Sequence, residues 1–207
     1  PLPRQLAFGV VLAVLLKDFF NRGRGLFQFL NYTPNITPPV AVGIVFALLF
    51  DSRVGAVNQV LASLGIISEN INWLSEPGTA RAVTIILLVW KYFGYMMVMF
   101  LAGLSAIPES LYEAAKIDGA GYFQTFIRIT VPMLKNTFVF LSTTSIISGL
   151  QLFTEPKLLF HPAESPGRSV MTALIYMYDT AFKRFDFGYG AAISYGLFVL
   201  ILLLSLG

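Results

Sequence analysis

Long uncharged stretches, each closed by a cluster of charged residues, organise this chain. Twelve uncharged residues separate Arg4 from Lys17, too few for the ~20-residue helix that crosses a hydrocarbon core. They are read as the inner end of a span that starts upstream. Gly25 to Phe50 carries no charge over 26 residues, and Pro34, Pro38 and Pro39 are expected to kink its first half and leave a span from about Asn31 to Phe50. Ala82 to Ile107 is broken only by Lys91, while Asn136 to Thr154 gives 19 uncharged residues and Phe187 to Leu206 gives 20. About five membrane segments are therefore predicted. Between Arg168 and Asp179 only 10 uncharged residues remain, but Met171, Leu174, Ile175, Tyr178, Phe182 and Phe185 recur at helical spacing, which predicts an amphipathic helix at the interface.

Composition agrees with this pattern. The 207 residues are 56% hydrophobic and 12% charged, about half the charge of an ordinary soluble domain, and the mean hydropathy is +0.73. An all-α, multi-pass membrane protein is expected, with the lipid bilayer as its surroundings. Cysteine is absent and His161 is the single histidine, so disulfides, thiolate metal sites and histidine metal clusters are not expected. The net charge of +3 is scattered, with no basic tract for nucleic acid. Both ends look cut, at Pro1 and within the apolar run closing on Gly207, and no cleavable signal peptide is visible. One domain over residues 1–207 is expected.

Orientation follows from Lys17–Arg24, where Lys17, Arg22 and Arg24 stand against Asp18 and mark a cytoplasmic turn. Alternation places Asp51–Arg81 outside, Pro108–Lys135 inside, Glu155–Asp186 outside, Pro1 toward the outside and Gly207 toward the inside. Gly188, Ala192 and Gly196, like Ala102 and Ala106, recur every four residues and are expected to let neighbouring helices approach closely.

The inner loop Pro108–Lys135 has a structure of its own. Pro108 suits a first helical position, Glu109 the positive end of the helix dipole, and Gly119 with Gly121 a stop after about three turns. A second short helix follows. Ala114 and Ala115 add little bulk, so their face could enter a groove on another protein with Glu113 and Lys116 at its edge; an amphipathic connector on the inner leaflet is the alternative.

Glu113-Ala114-Ala115, three residues, Gly119, nine residues, Ile129, one residue and Val131-Pro132 follow the EAA pattern in every position but one, Val131 standing for Leu. The chain thereby resembles the permease subunits of ATP-binding cassette importers. The stretches Asn72–Ala80, Leu101–Gly121 and Ala181–Ala192 are similar to the carbohydrate-uptake branch, which includes maltose and glycerol-phosphate permeases. The resemblance implies a type I importer fold in the cell's inner membrane and a sugar or sugar-like solute, with another solute class as the alternative. It also implies a second, homologous permease, an extracytoplasmic solute-binding protein, and two ATPase subunits that hold the ATP and magnesium. On this view Glu113 contacts the ATPase, Ala114 and Ala115 form the packed face, Gly119 makes the turn, and Ile129 and Pro132 complete the motif. This chain is not expected to be an enzyme or to bind a cofactor: it contains no G-x-x-x-x-G-K-[ST] loop.

Candidates for the substrate path are fewer. Lys91, with Tyr95 one turn later, could face a polar or anionic solute; snorkelling or pairing with another subunit is the alternative. Thr144, Ser148 and Gln151, with Ser145 beside them and Glu155 continuing the line, form a polar stripe that could meet sugar hydroxyls or stitch helices together. His161 reads as a solvated loop residue, and the triplets at Asn31 and Asn35 as chance matches to a glycosylation signal. An ion-coupled secondary transporter would need buried carboxylates, and an intramembrane enzyme a nucleophile with its base. The proposed spans contain no Asp, Glu, His or Cys.

Overall fold

The computed structural model describes residues 9–11, 13–14, 24–160 and 164–205, and all regular structure among them is helical. The helices are α1 (Arg24–Ile36), α2 (Pro39–Leu49), α3 (Ala56–Ser63), α4 (Pro77–Ser105), α5 (Glu109–Ile117), α6 (Tyr122–Thr125), α7 (Val131–Met133), α8 (Lys135–Leu150), α9 (Thr154–Leu159), α10 (Ala173–Tyr178) and α11 (Phe187–Ser205). Two π-helical turns, Phe126–Thr130 and Asp179–Lys183, continue α6 and α10. The chain forms two compact units, one from Pro1–Ile36 with Lys91–Ser145, the other from Thr37–Trp90 with Ile146–Gly207.

Among the described residues two helices, α4 and α11, are long and apolar enough to cross a membrane alone, and α1 with α2 would do so only as a pair bent by 96°. The expected span Asn31–Phe50 is instead divided. Pro34 lies inside α1, and the helix breaks at Thr37–Pro38, because a residue preceding proline is driven out of the α region and Pro39 then opens α2 at a favoured position. The expected crossing Asn136–Thr154 is also shorter: α8 has 16 residues and stops at Leu150, with Gly149 weakening its last turn. The turn Lys17–Arg24, expected to be cytoplasmic, falls outside the described residues except for Arg24, and His161 falls outside them altogether. Downstream, α10 and its π turn form a short helix over part of that stretch, with Ile175, Asp179 and Thr180 buried and Tyr178 and Phe182 exposed; Met171, expected in the same apolar row, precedes the helix. Phe185 does not belong to it; it lies beyond the helix end at φ +59°.

In the first unit a core of Val10, Ala13, Met97, Phe100, Leu104, Leu134 and Leu141 joins the N-terminal segment at Val10 and Ala13, the second half of α4, and α8 with the residue before it. The Phe100 and Phe138 rings meet at 4.8 Å. Two glycines set the approach: a Cβ on Gly94 would run into the backbone carbonyl of Asn31 in α1, and one on Gly103 would lie 2.6 Å from Thr137 Oγ1. In the second unit, Val42, Phe46, Val83, Leu87 and Leu159 form the core, where Gly43 lets α2 close on Leu158. Buried Asn58 fastens residues 64–76 to α3, accepting from Trp73 Nε1 at 2.8 Å and donating to the Ile71 carbonyl at 2.9 Å.

An ionic clip ties α9 to the helix after it. Lys157 Nζ and Lys183 Nζ each lie 3.1 Å from Asp179 Oδ1. Burial pushes the Asp179 carboxyl up, but hydrogen bonds from Lys183 and Lys157 outweigh it and hold the group below its ordinary range.

The packing glycines are thus not the ones at every fourth position. Gly188, Ala192 and Gly196 on α11 are exposed, as are Ala102 on α4 and Ala106 just beyond its end; the glycine of α11 that packs is Gly190, against Ala181. Gly94→Ala is therefore expected to destabilise the solubilised protein by roughly 1–3 kcal/mol, since the added methyl meets main chain that cannot move aside. Gly196→Ala, with open space around its Cβ, should shift the denaturation midpoint little; equal midpoints for the two variants would contradict the packing described.

Candidate functional site

The loop Pro108–Lys135 lies wholly within the first unit. Pro108 caps α5 rather than occupying its first turn, with φ −58° and ψ 133°. Glu109 in the first turn and Lys116 in the last complement the helix dipole. At the far end Gly119 stands at φ +72°, the Ala120 amide donates to the Ala115 carbonyl at 2.9 Å and the Gly119 amide to the Lys116 carbonyl at 3.1 Å. These paired bonds form a Schellman closure, which satisfies the orphan carbonyls and ends the helix sharply. No atom lies within 4 Å of a Cβ built on Gly119, so its requirement is purely conformational.

The Ala114–Ala115 face expected from the sequence is divided between two sides of α5. Successive residues of a helix point about 100° apart, and here Ala115 is buried at 6% exposure whereas Ala114 and Glu113 are exposed. Apolar residues accompany them outward: Leu111, Ala114 and Ile117 follow at intervals of three, Ile117 being 87% exposed, and Phe123 on α6 is 72% exposed. Leu111, Ile117 and Phe123 were not among the residues singled out from the sequence. The signal available there was the presence of large apolar side chains in a loop otherwise rich in polar residues.

Beyond Gly121 the chain continues as α6, the π turn and α7. Pro132 lacks an N–H and its ring crowds the carbonyl four residues back, so the wider turn just ahead of it makes the needed room. Ile129 is half-buried, Pro132 exposed and Thr130 buried. A cleft of about 770 Å³ lies on the inner side of α5, bordered by Leu104, Ile107, Glu109, Tyr112, Lys116 and Tyr122 among others.

The substrate-path candidates divide differently. Lys91 on α4 is 4% exposed, its ammonium 5.7 Å from the centre of the Tyr92 ring. Tyr95 is half-buried and packs against the first unit's core. Along α8, Thr144 donates its hydroxyl proton to its own helix, to the Phe140 carbonyl at 2.8 Å. Ser145 is half-buried, while Ser148 and Gln151 are exposed, Gln151 just beyond the end of the helix. Glu155 does not extend this row, since Gln151–Phe153 is non-helical and Glu155 is buried in the first turn of α9. Asn31 lies within α1 and donates to the Phe27 carbonyl at 2.7 Å, unlike an asparagine in an exposed acceptor loop.

The family model described as binding-protein-dependent transport system inner membrane component matches residues 5–207. The chain belongs to that family. It is 37% identical over 204 residues to a lactose transport system permease protein of Rhizobium radiobacter, covering 98% of this chain and 68% of that one. It is 35% identical over 198 residues to an arabinooligosaccharides transport system permease protein of Bacillus subtilis, covering 95% of this chain and 62% of that one. Among solved structures, a bacterial ABC transporter that imports the acidic polysaccharide alginate superposes with a TM-score of 0.87 at 24% identity, over 96% of this chain and 69% of that chain. The fold is that of a type I ABC importer permease.

Gly119→Val should strain the end of α5 by roughly 1–2 kcal/mol, the penalty for an L side chain in the left-handed region, whereas Gly119→Asn should be milder. Hydrogen exchange at the Gly119 and Ala120 amides reports this directly. About tenfold faster exchange is expected in the Val variant, and unchanged protection would show that the turn tolerates a side chain.

Proposed function

We propose that this chain is a membrane-spanning subunit of an ATP-driven importer, supplied by a solute-binding protein, for a sugar or sugar-like solute. The observation that carries the reading is the outward face of α5, where Glu113 and Ala114 stand with Leu111 and Ile117 on a rigidly ended helix within the EAA pattern. An exposed apolar face rimmed by charge fits a partner's groove better than it fits water. The names of the relatives, permeases for lactose and for arabinooligosaccharides, support the solute class.

In this reading two ATPase subunits grip the α5 helices of this permease and of a second, homologous one from the cytoplasm, and ATP and magnesium reside in those ATPases. Closure of the ATPases pushes the docked loops and shifts the spans between inward-open and outward-open states. Ser148 and Gln151, with Ser145 and the remaining acceptor lone pair of Thr144, offer hydrogen bonds to solute hydroxyls, with Lys91 and Tyr95 on α4 as further members of the path. Glu113, Ala114 and Gly119 serve the ATPase contact, and Ile129 and Pro132 shape the helix behind it.

Vesicles reconstituted with this chain, its permease partner, the ATPases and the binding protein test the proposal, with lactose and arabinooligosaccharides as probes and ATP as the energy source. Uptake should require ATP and survive collapse of ion gradients. Ser148→Ala and Gln151→Ala should each weaken apparent affinity by roughly 2- to 12-fold, the worth of one hydrogen bond, with subunit association intact. Uptake driven by a gradient in the absence of ATP would overturn the reading, and loss of assembly with normal transport in what remains would make the stripe a packing seam.

A further inference from the structure

The docking reading leaves open how a push on α5 reaches the spans, and the inner face of that helix bears on it. Two of its residues turn inward: Ala115, which is buried, and Tyr112, which is half-buried. The Tyr112 ring packs against the core that contains Leu104, Ile107 and Leu134, and its hydroxyl lies 3.2 Å from Thr130 Oγ1. Either hydroxyl can donate. Thr130 is 5% exposed and closes the π turn, where the Val131 amide reaches back to the Phe126 carbonyl. Five residues later α8 begins, the helix that carries Thr144 and Ser148.

The covalent route from α5 to α8 turns at Gly119–Gly121 and then runs along α6, the π turn and α7, with a cleft of about 770 Å³ beside it. The Tyr112–Thr130 contact bypasses all of this, joining residues 18 apart. We propose that Tyr112 and Thr130 form the strut that transmits movement of the docking helix to α8, and that they act as positioning residues for coupling while the outward residues do the docking. The inference rests on the importer reading above. A phenylalanine at 112 would keep the ring in the core and lose only the hydroxyl, so the link can be cut without unpacking the unit.

The test uses the assembled complex in lipid, with a single cysteine introduced by Ser148→Cys into this cysteine-free chain and reactive cysteines removed from its partners. A membrane-impermeant maleimide reports the labelling rate at position 148 without nucleotide and with ATP plus vanadate, alongside the rate of ATP hydrolysis. Tyr112→Phe and Thr130→Val should each shrink the nucleotide-induced change in labelling by roughly 2- to 10-fold, with the ATPases still co-purifying and hydrolysis continuing. Thr130→Ser, which keeps the hydroxyl, should behave as the parent, and the double variant should be no worse than either single one. A role in stability alone would lower the yield of complex and leave the labelling ratio of the assembled fraction unchanged, which would overturn the inference. So would additive losses in the double variant. A parent complex with no nucleotide response at all would instead refute the importer reading, and the strut with it.

Discussion

Helices in hydrocarbon gain little by burying apolar side chains against one another, because the lipid tails are as apolar as leucine. They hold together where backbones can come close. In the first unit that condition is met at Gly94, where the main chain of α1 occupies the space a side chain would take, and at Gly103, against Leu134 and Thr137 of the segment that leads into α8. Gly43 does the same in the second unit. The two cores are arranged around these contacts. Polar clasps such as Asn58 with Trp73, and Lys157 with Asp179, then fasten the loops that the cores leave behind.

The docking loop obeys a different constraint. On the proposed reading it presents a fixed face to a partner, and what fixes it lies at its ends and on its inner side. A helix with nine residues is marginal in isolation. The Schellman closure at Gly119, the dipole-matched Glu109 and Lys116, and the inward anchors Tyr112 and Ala115 are what hold α5 in one place. With the inner face committed to its own unit, the outward face is left exposed, as the proposed ATPase contact requires.

Much of this was legible in the residues. The EAA spacing located the loop, the positive φ at Gly119 was foreseeable from its place after three helical turns, and Ala82–Ile107 announced most of α4. Other features were not. A proline in a string of letters does not say on which side the chain breaks: Pro34 lies inside α1, and the break falls at Thr37–Pro38 ahead of Pro39. Small residues every four positions mark a possible seam, but only the facing helix decides whether it is used, so Gly94 and Gly190 pack while Gly188 and Gly196 face outward. The side of α5 on which Ala115 falls depends on how the whole loop is rotated, and that is set by Tyr112 reaching the core, a long-range contact with no local signature. Of the polar row expected along α8, Thr144 satisfies its donor within its own helix, Ser148 is exposed and Gln151 lies beyond the helix end, a break that Gly149 and the residues after it do not announce.

On the proposed reading, the outward face of α5 is covered by an ATPase on the cytoplasmic side. A cysteine at position 117, replacing the isoleucine whose side chain is almost wholly exposed in this chain, measures it most directly. In inside-out vesicles an impermeant maleimide should label the permease readily when it is expressed without the ATPases, and roughly tenfold or more slowly in the full complex, as expected for a residue at the centre of a desolvated contact. Equal labelling with and without the ATPases, or labelling from the outer side alone, would contradict the account.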